Sequence, residues 1–169
     1  MPTRAVRVHE FGGPEVMHLE EVELAAPGRG EVLVRNHAAG VNFIDVYFRN
    51  GHYKPPTMPF IPGREAAGEI VELGKGVKVW KVGDRVAYVA PLGCYAEARV
   101  VAADRLVKLP KAISYDTAAA MMLKGLTAQY LLRQTFKVKP GDTILVHAAA
   151  GGVGSVSYTH LTLPTKRIV

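Results

Sequence analysis

The chain has 169 residues, 49% of them hydrophobic and 21% charged, with a formal net charge of +6. That length holds one sizeable core, or one domain and part of another, and the composition excludes a disordered or fibrous protein. Apart from Lys75, Lys78 and Lys81 the basic residues are dispersed, so the charge reads as a solvated surface that suits an anionic small ligand, not as a nucleic-acid or membrane face.

In chain order, Ala5 to Pro110 contains short β-prone runs separated by Gly, Pro and Asp: "AVRVHEF", "EVMHLEEVEL", "EVLVRNHAAGV", "GEIVELG", "DRVAYVA", "YAEARVV" and "RLVKLP". With turns at Pro27–Gly30 and Val82–Asp84, the spacing predicts an irregular antiparallel barrel or sandwich. The start, "MPTRAVRVHEF", lacks the apolar region of a signal peptide, and the single cysteine, Cys94, excludes an internal disulfide or a multi-cysteine zinc knuckle. A cytoplasmic protein is the expectation.

From Ala112 the stretch "AISYDTAAAMMLKGLTAQYLLRQTF" has helical spacing, with Ser114 as N-cap, Leu123, Leu126 and Tyr130 on one face, and a kink or break expected at Gly125. A "KPGD" turn at 139–142 follows, then "TILVHA", read as a strand buried on both faces of a parallel sheet. Directly after it, "HAAAGGVGS" (147–155) places Ala149, Gly151 and Gly154 at the three small positions of a dinucleotide fingerprint, with alanine for the first glycine. In that reading Gly151 lets the backbone approach a pyrophosphate and Gly154 lets the next helix pack closely; a plain turn is the alternative. Residues 143–165 carry no Asp, Glu, Lys or Arg, but their glycines, histidines and Pro164 make a poor membrane span.

Several local sequences, "GPEVM", "AAGVNFIDVYFRNGHY", "PFIPGREAAGEIVELGKGV", "KVGDRVAY", "MLKGLTAQYLL" and "AAAGGVGS", resemble the zinc-independent quinone oxidoreductases of the medium-chain dehydrogenase/reductase superfamily across residues 1–155. The resemblance implies a mostly β chain with some α: a GroES-like irregular β-barrel catalytic domain over 1–125, then the first strand and turn of a Rossmann α/β domain for NADPH over 126–155. Members transfer a hydride from NADPH, with NADH the lesser choice, to quinones; relatives reduce enoyl and 2-alkenal groups. Where the neighbouring zinc enzymes hold a cysteine and a histidine, this chain has Asn42 and Arg64. Arginine stays protonated and cannot ligate zinc, so no metal is expected.

By resemblance, Asn42 offers an amide N–H and Tyr53 a hydroxyl and a flat face to the substrate. Lys124 and Thr127 meet the nicotinamide end of the cofactor, and Ala150, Gly151, Gly152, Val153 and Gly154 cradle its phosphates. The parent protein would be a homodimer. Plainer readings stand beside these: Asn42 as a turn residue, Tyr53 packing on proline, Lys124 as a solvated helix residue, and Asp45 and Tyr47 lining a cleft or bracing the barrel. Glu65 is expected to pair with a base, Asp84 to close a turn, and Cys94 to fill space.

The resemblance ends after Ser155. "VSYTHLTLPTKRIV" (156–169) is poor in helix formers and contains Pro164, so the cradle is expected to lack its usual helix and the tail to be foreign to the family. The chain is also about half the family's length. Three functions compete: an NADPH-dependent quinone reductase, an enoyl or 2-alkenal reductase, and a non-enzymatic GroES-like binding or structural module.

Overall fold

The computed structural model describes residues 1–162. The chain divides into two compact units, Met1–Met122 and a second beginning at Leu123.

In the first unit, β1 (Pro2–Val8) pairs antiparallel with β2 (Met17–Glu23). A five-stranded antiparallel sheet follows, in the order β6-β3-β4-β5-β7, from β3 (Glu31–Gly40), β4 (Glu65–Leu73), β5 (Arg85–Val89), β6 (Ala98–Ala102) and β7 (Leu106–Lys108). Each of the seven β-prone runs therefore overlaps a strand. Alternation sorts their side chains. Val32, Val34, Ala66, Ile70, Val86, Tyr88 and Val101 form one core, with Cys94 in it, while Ala67 and Ala87 face a second cluster with Leu109, Ala118 and Ala119. Cys94 does fill space: it is fully buried, and burial pushes its thiol upward against the lowering influence of Arg99.

The β4–β5 connection shows how a turn residue carries stability. Gly83 takes φ +88°, and the Asp84 carboxylate accepts the Lys81 N–H at 3.0 Å and pairs with Lys108 at 3.3 Å. These contacts, the Lys81 N–H foremost, hold the Asp84 carboxyl below its ordinary value. A carboxylate depressed on folding stabilises above its unfolded pKa, and that contribution is lost as pH falls through the folded one. Unfolding midpoints measured between about pH 6 and about pH 3 should therefore fall less in Asp84→Asn than in the wild-type chain.

Between β3 and β4 lies the short helix α1 (Phe43–Arg49). The long helix α2 (Tyr115–Gln129) starts as expected, with Ser114 Oγ accepting the Thr117 N–H at 3.1 Å. It runs unbroken through Gly125, where a kink was expected. The irregularity comes later, as a π-helical turn over Tyr130–Thr135 closed by Phe136 N–H to Leu131 carbonyl. A single glycine costs a helix only about 1 kcal/mol. A capped start and the buried Ala118, Ala119 and Ala128 are sufficient to carry the helix across it.

In the second unit, residues 142–146 form no regular secondary structure and join no ladder, and Leu145 is 81% exposed. The parallel strand expected there is absent among the described residues because a strand exists only against a neighbour. After turns at 147–150 comes α3 (Gly152–Thr162). The cradle thus has a helix after all, against the expectation from propensity. The buried Gly154 and Ser157, three residues apart, give α3 a small-residue face that packs closely, and packing outweighs propensity. Pro164 and the rest of the expected foreign tail after Thr162 lie outside the described residues.

Candidate functional site

Two groups of expected site residues take shape, one in each unit. In the first, β3 ends at Gly40 and Asn42 caps α1 in extended conformation. The Asp45 N–H donates to the Asn42 carbonyl at 3.0 Å, and the Asn42 N–H donates back to Asp45 Oδ2 at 2.9 Å. This is the reciprocal half of a capping box. The plainer reading of Asn42 as a turn residue is correct for its backbone. Its side chain does something else: Nδ2 donates to Glu65 Oε1 at 2.7 Å. Glu65 is fully buried. The Asn42 amide is thus one partner of Glu65, and not one that the sequence announces.

Asp45 is 6% exposed, and its Oδ2 also accepts the Tyr95 hydroxyl at 2.8 Å, while Oδ1 has no partner. Burial, then this hydrogen bond, push the Tyr95 hydroxyl well above its ordinary value, so it stays a donor. The outcome for Asp45 is bracing within the barrel. Tyr95 was missed; only the Asn42-x-x-Asp45 spacing signalled that a cap was present.

Tyr53 is 43% exposed and lies edge-on to Tyr47 at 5.3 Å and Phe48 at 5.7 Å. Phe43, 71% exposed, contacts Tyr47 at 5.2 Å. Tyr53 therefore joins an aromatic shelf built by α1 and the turn after it. Arg64, at the position of the zinc enzymes' histidine, donates Nε–H to the Pro91 carbonyl at 2.9 Å. Among the described residues no group of three or more His, Cys, Asp or Glu side chains could hold a metal ion.

In the second unit, the Gly151 N–H donates to the Ala148 carbonyl at 2.8 Å, closing a turn in which Ala148 takes φ +49°. The first helical bond of α3 runs from the Ser155 N–H to the Gly151 carbonyl at 2.8 Å. The N–H groups of Gly152, Val153 and Gly154 thus belong to the first turn, which has no intrahelical acceptors and favours an anion. Gly154 is the tight position: a Cβ there would overlap the Ala148 carbonyl oxygen and lie 2.8 Å from Ala149 Cα. That is the close helix packing expected of a third fingerprint glycine. Lys124 is beside this turn, since a Cβ on Gly152 would lie 3.0 Å from its Cδ. A cation on α2 and the start of α3 are thereby brought together. The Thr127 hydroxyl donates to the Leu123 carbonyl at 2.8 Å, so it has lone pairs, not its proton, to offer a ligand. A hollow of about 550 Å³ adjoins the turn, lined by Leu132, Phe136, Ile144, Val146 and Gly151–Gly154.

These features fit a dinucleotide: a helix start open to phosphate, a glycine that only lack of a side chain permits, and a lysine beside it. The alcohol dehydrogenase GroES-like domain matches residues 28–111. A quinone oxidoreductase of Pseudomonas aeruginosa is 53% identical over 152 residues, 89% of this chain and 47% of the relative. A 2-haloacrylate reductase of Burkholderia is 46% identical, over 96% of this chain and 49% of the relative. The crystal structure of Escherichia coli quinone oxidoreductase complexed with NADPH superimposes with a TM-score of 0.89 at 46% identity, covering 94% of this chain and 49% of that one. The chain thus spans about half the length of the curated relatives it matches. It carries the GroES-like domain and, over most of its length, is similar to the quinone oxidoreductases of the medium-chain dehydrogenase/reductase superfamily.

Proposed function

We propose that the protein to which this chain corresponds reduces quinones with NADPH, without a catalytic zinc. The observation that carries the reading is the α3 start, where Gly154 packs against Ala148 and Lys124 lies against Gly152, in a chain whose relative was crystallised with NADPH. NADPH, when bound, supplies the hydride. The chain's own residues do the rest. The N–H groups of Gly152, Val153 and Gly154 donate to the cofactor's phosphate, with Ala150 and Gly151 shaping the approach. Lys124 adds a positive charge and Thr127 an acceptor for the carboxamide or ribose.

On the substrate side, Tyr53 offers an aromatic face, and Asn42 offers an amide proton to the quinone oxygen that gains negative charge as hydride arrives. A quinone needs no Lewis acid for this step, since a hydride and one proton convert it to the hydroquinone. The zinc-free reading draws support from Asn42 and Arg64, whose polar groups are engaged with Glu65 and with Pro91. The span 126–155 is read as the opening of the NADPH-binding domain. The cytoplasmic setting is the reading that the single cysteine suggests, and the homodimeric parent rests on the family resemblance.

A second reading, reduction of an activated alkene, is favoured by the 2-haloacrylate reductase relative. Steady-state NADPH consumption with a quinone and with 2-chloroacrylate, both in excess chelator, separates them. Quinone turnover at least about ten-fold higher in kcat/KM supports the quinone reading; the reverse order replaces it.

A further inference from the structure

We propose that Glu65 is a positioning residue for the reaction: its buried carboxylate fixes the orientation of the Asn42 carboxamide, so that one amide proton is held by the protein and the other is presented to substrate. The inference rests on the reading of Asn42 as the substrate-facing donor.

Asn42 is gripped at two ends by two different buried carboxylates. Its backbone N–H goes to Asp45 Oδ2 at 2.9 Å, which fixes where the residue begins α1. Its side-chain Nδ2 goes to Glu65 Oε1 at 2.7 Å, across from β4. Asp45 in turn is tied to the Tyr95 hydroxyl at 2.8 Å. Glu65 is 0% exposed and Asp45 6%. Burying a carboxylate is costly unless its lone pairs are met, and the Asn42 amide is one of the groups that meet those of Glu65.

The chemistry of the pair sets the orientation. An ionised carboxylate only accepts, whereas a carboxamide has two N–H donors at one end and a carbonyl acceptor at the other. Glu65 therefore selects the Nδ2 end of Asn42 and excludes the flipped amide. With one Nδ2 proton spent on Glu65, the other remains for an oxygen that gains charge. Without Glu65 the amide can rotate by half a turn and offer a carbonyl, which repels that same oxygen. A preoriented donor is the kind of group whose effect appears in the transition state, so its loss should lower kcat more than it raises KM.

The test compares wild type, Glu65→Gln and Glu65→Leu by two readouts on the whole chain. Glutamine keeps an acceptor at the same place, and leucine removes it. In nitrogen-15 spectra of the wild type, one Asn42 side-chain amide proton should exchange with solvent at least about ten-fold more slowly than its partner, and the difference should vanish in Glu65→Leu. In quinone turnover, Glu65→Leu should lose about ten-fold or more in kcat with the KM for NADPH within about two-fold, and Glu65→Gln should keep kcat within about three-fold. Should Glu65→Leu fail to fold, the wild-type exchange asymmetry and the Glu65→Gln rate decide. Equal exchange of the two Asn42 protons, or a folded Glu65→Leu with unchanged kcat, overturns the inference. No quinone turnover by the wild-type chain overturns the functional reading as it applies to this chain, and this inference with it; turnover by the wild type that survives in Glu65→Leu overturns this inference alone.

Discussion

Gly154→Ala should abolish measurable NADPH binding, at least a hundred-fold or about 2.7 kcal/mol, while the barrel keeps its own unfolding transition. The added methyl would enter the space of the Ala148 carbonyl oxygen and sit 2.8 Å from Ala149 Cα. Both are backbone atoms of the turn, so neither can swing aside as a side chain would. The turn must open or α3 must lift, and either movement displaces the first-turn N–H groups that would receive phosphate. It also separates Gly152 from the Lys124 stem beside it. Titration calorimetry of the variant against NADPH, with thermal unfolding followed in parallel, checks both halves. Undiminished binding would show that the turn tolerates a side chain and that the close packing has no part in the site.

Gly68→Val should cost the first unit about 4 kcal/mol or more, which places it among the most damaging single changes available. Gly68 pairs with Asn36 in the β3–β4 ladder, next to a register shift between Asn36 and Ala38. A Cβ there would overlap the Arg35 carbonyl oxygen and lie 2.9 Å from Arg35 C and Asn36 Cα. Once more the obstacle is backbone, and relief requires β3 and β4 to part at the centre of the five-stranded sheet. Asn36 accepts the hydrogen bond of the buried Tyr88 hydroxyl through Oδ1 at 2.6 Å and donates Nδ2–H to the Ala96 carbonyl at 2.8 Å. A displaced Asn36 would leave buried polar groups unmet, adding to the steric cost. Urea unfolding of wild type and variant measures the difference; a loss under about 1 kcal/mol would mean that the β3–β4 junction yields easily.

The sequence makes the barrel legible because its signals are local. Alternation within "DRVAYVA" (84–90), the glycine and aspartate of the turn before it, and the serine before α2 each report a geometry fixed within a few residues, and the structure agrees at each. Partners distant in the chain leave no such trace. Asn42 meets Glu65 across 23 positions and Asp45 meets Tyr95 across 50, and nothing in residue type or spacing announces either pair. Residues 142–146 fail in the opposite way. Their apolar, β-branched composition is right for a buried strand, yet a ladder depends on neighbours that composition cannot supply. For α3 the propensities of Val, Ser, Thr and Tyr argued against a helix, and the small buried residues Gly154 and Ser157 decided for one. In the cradle, the spacing of the glycines was informative, but which of them is sterically obligatory emerged only from the approach of the Ala148 carbonyl to Gly154.

The most direct test of the account is calorimetric titration of NADPH into the purified 169-residue chain. Saturable one-to-one binding, weakened by rising salt as expected for phosphate held by Lys124 and the start of α3, is the predicted result. A folded chain that takes up no NADPH would contradict the account, and would leave the glycine turn and Lys124 as parts of a packing arrangement alone.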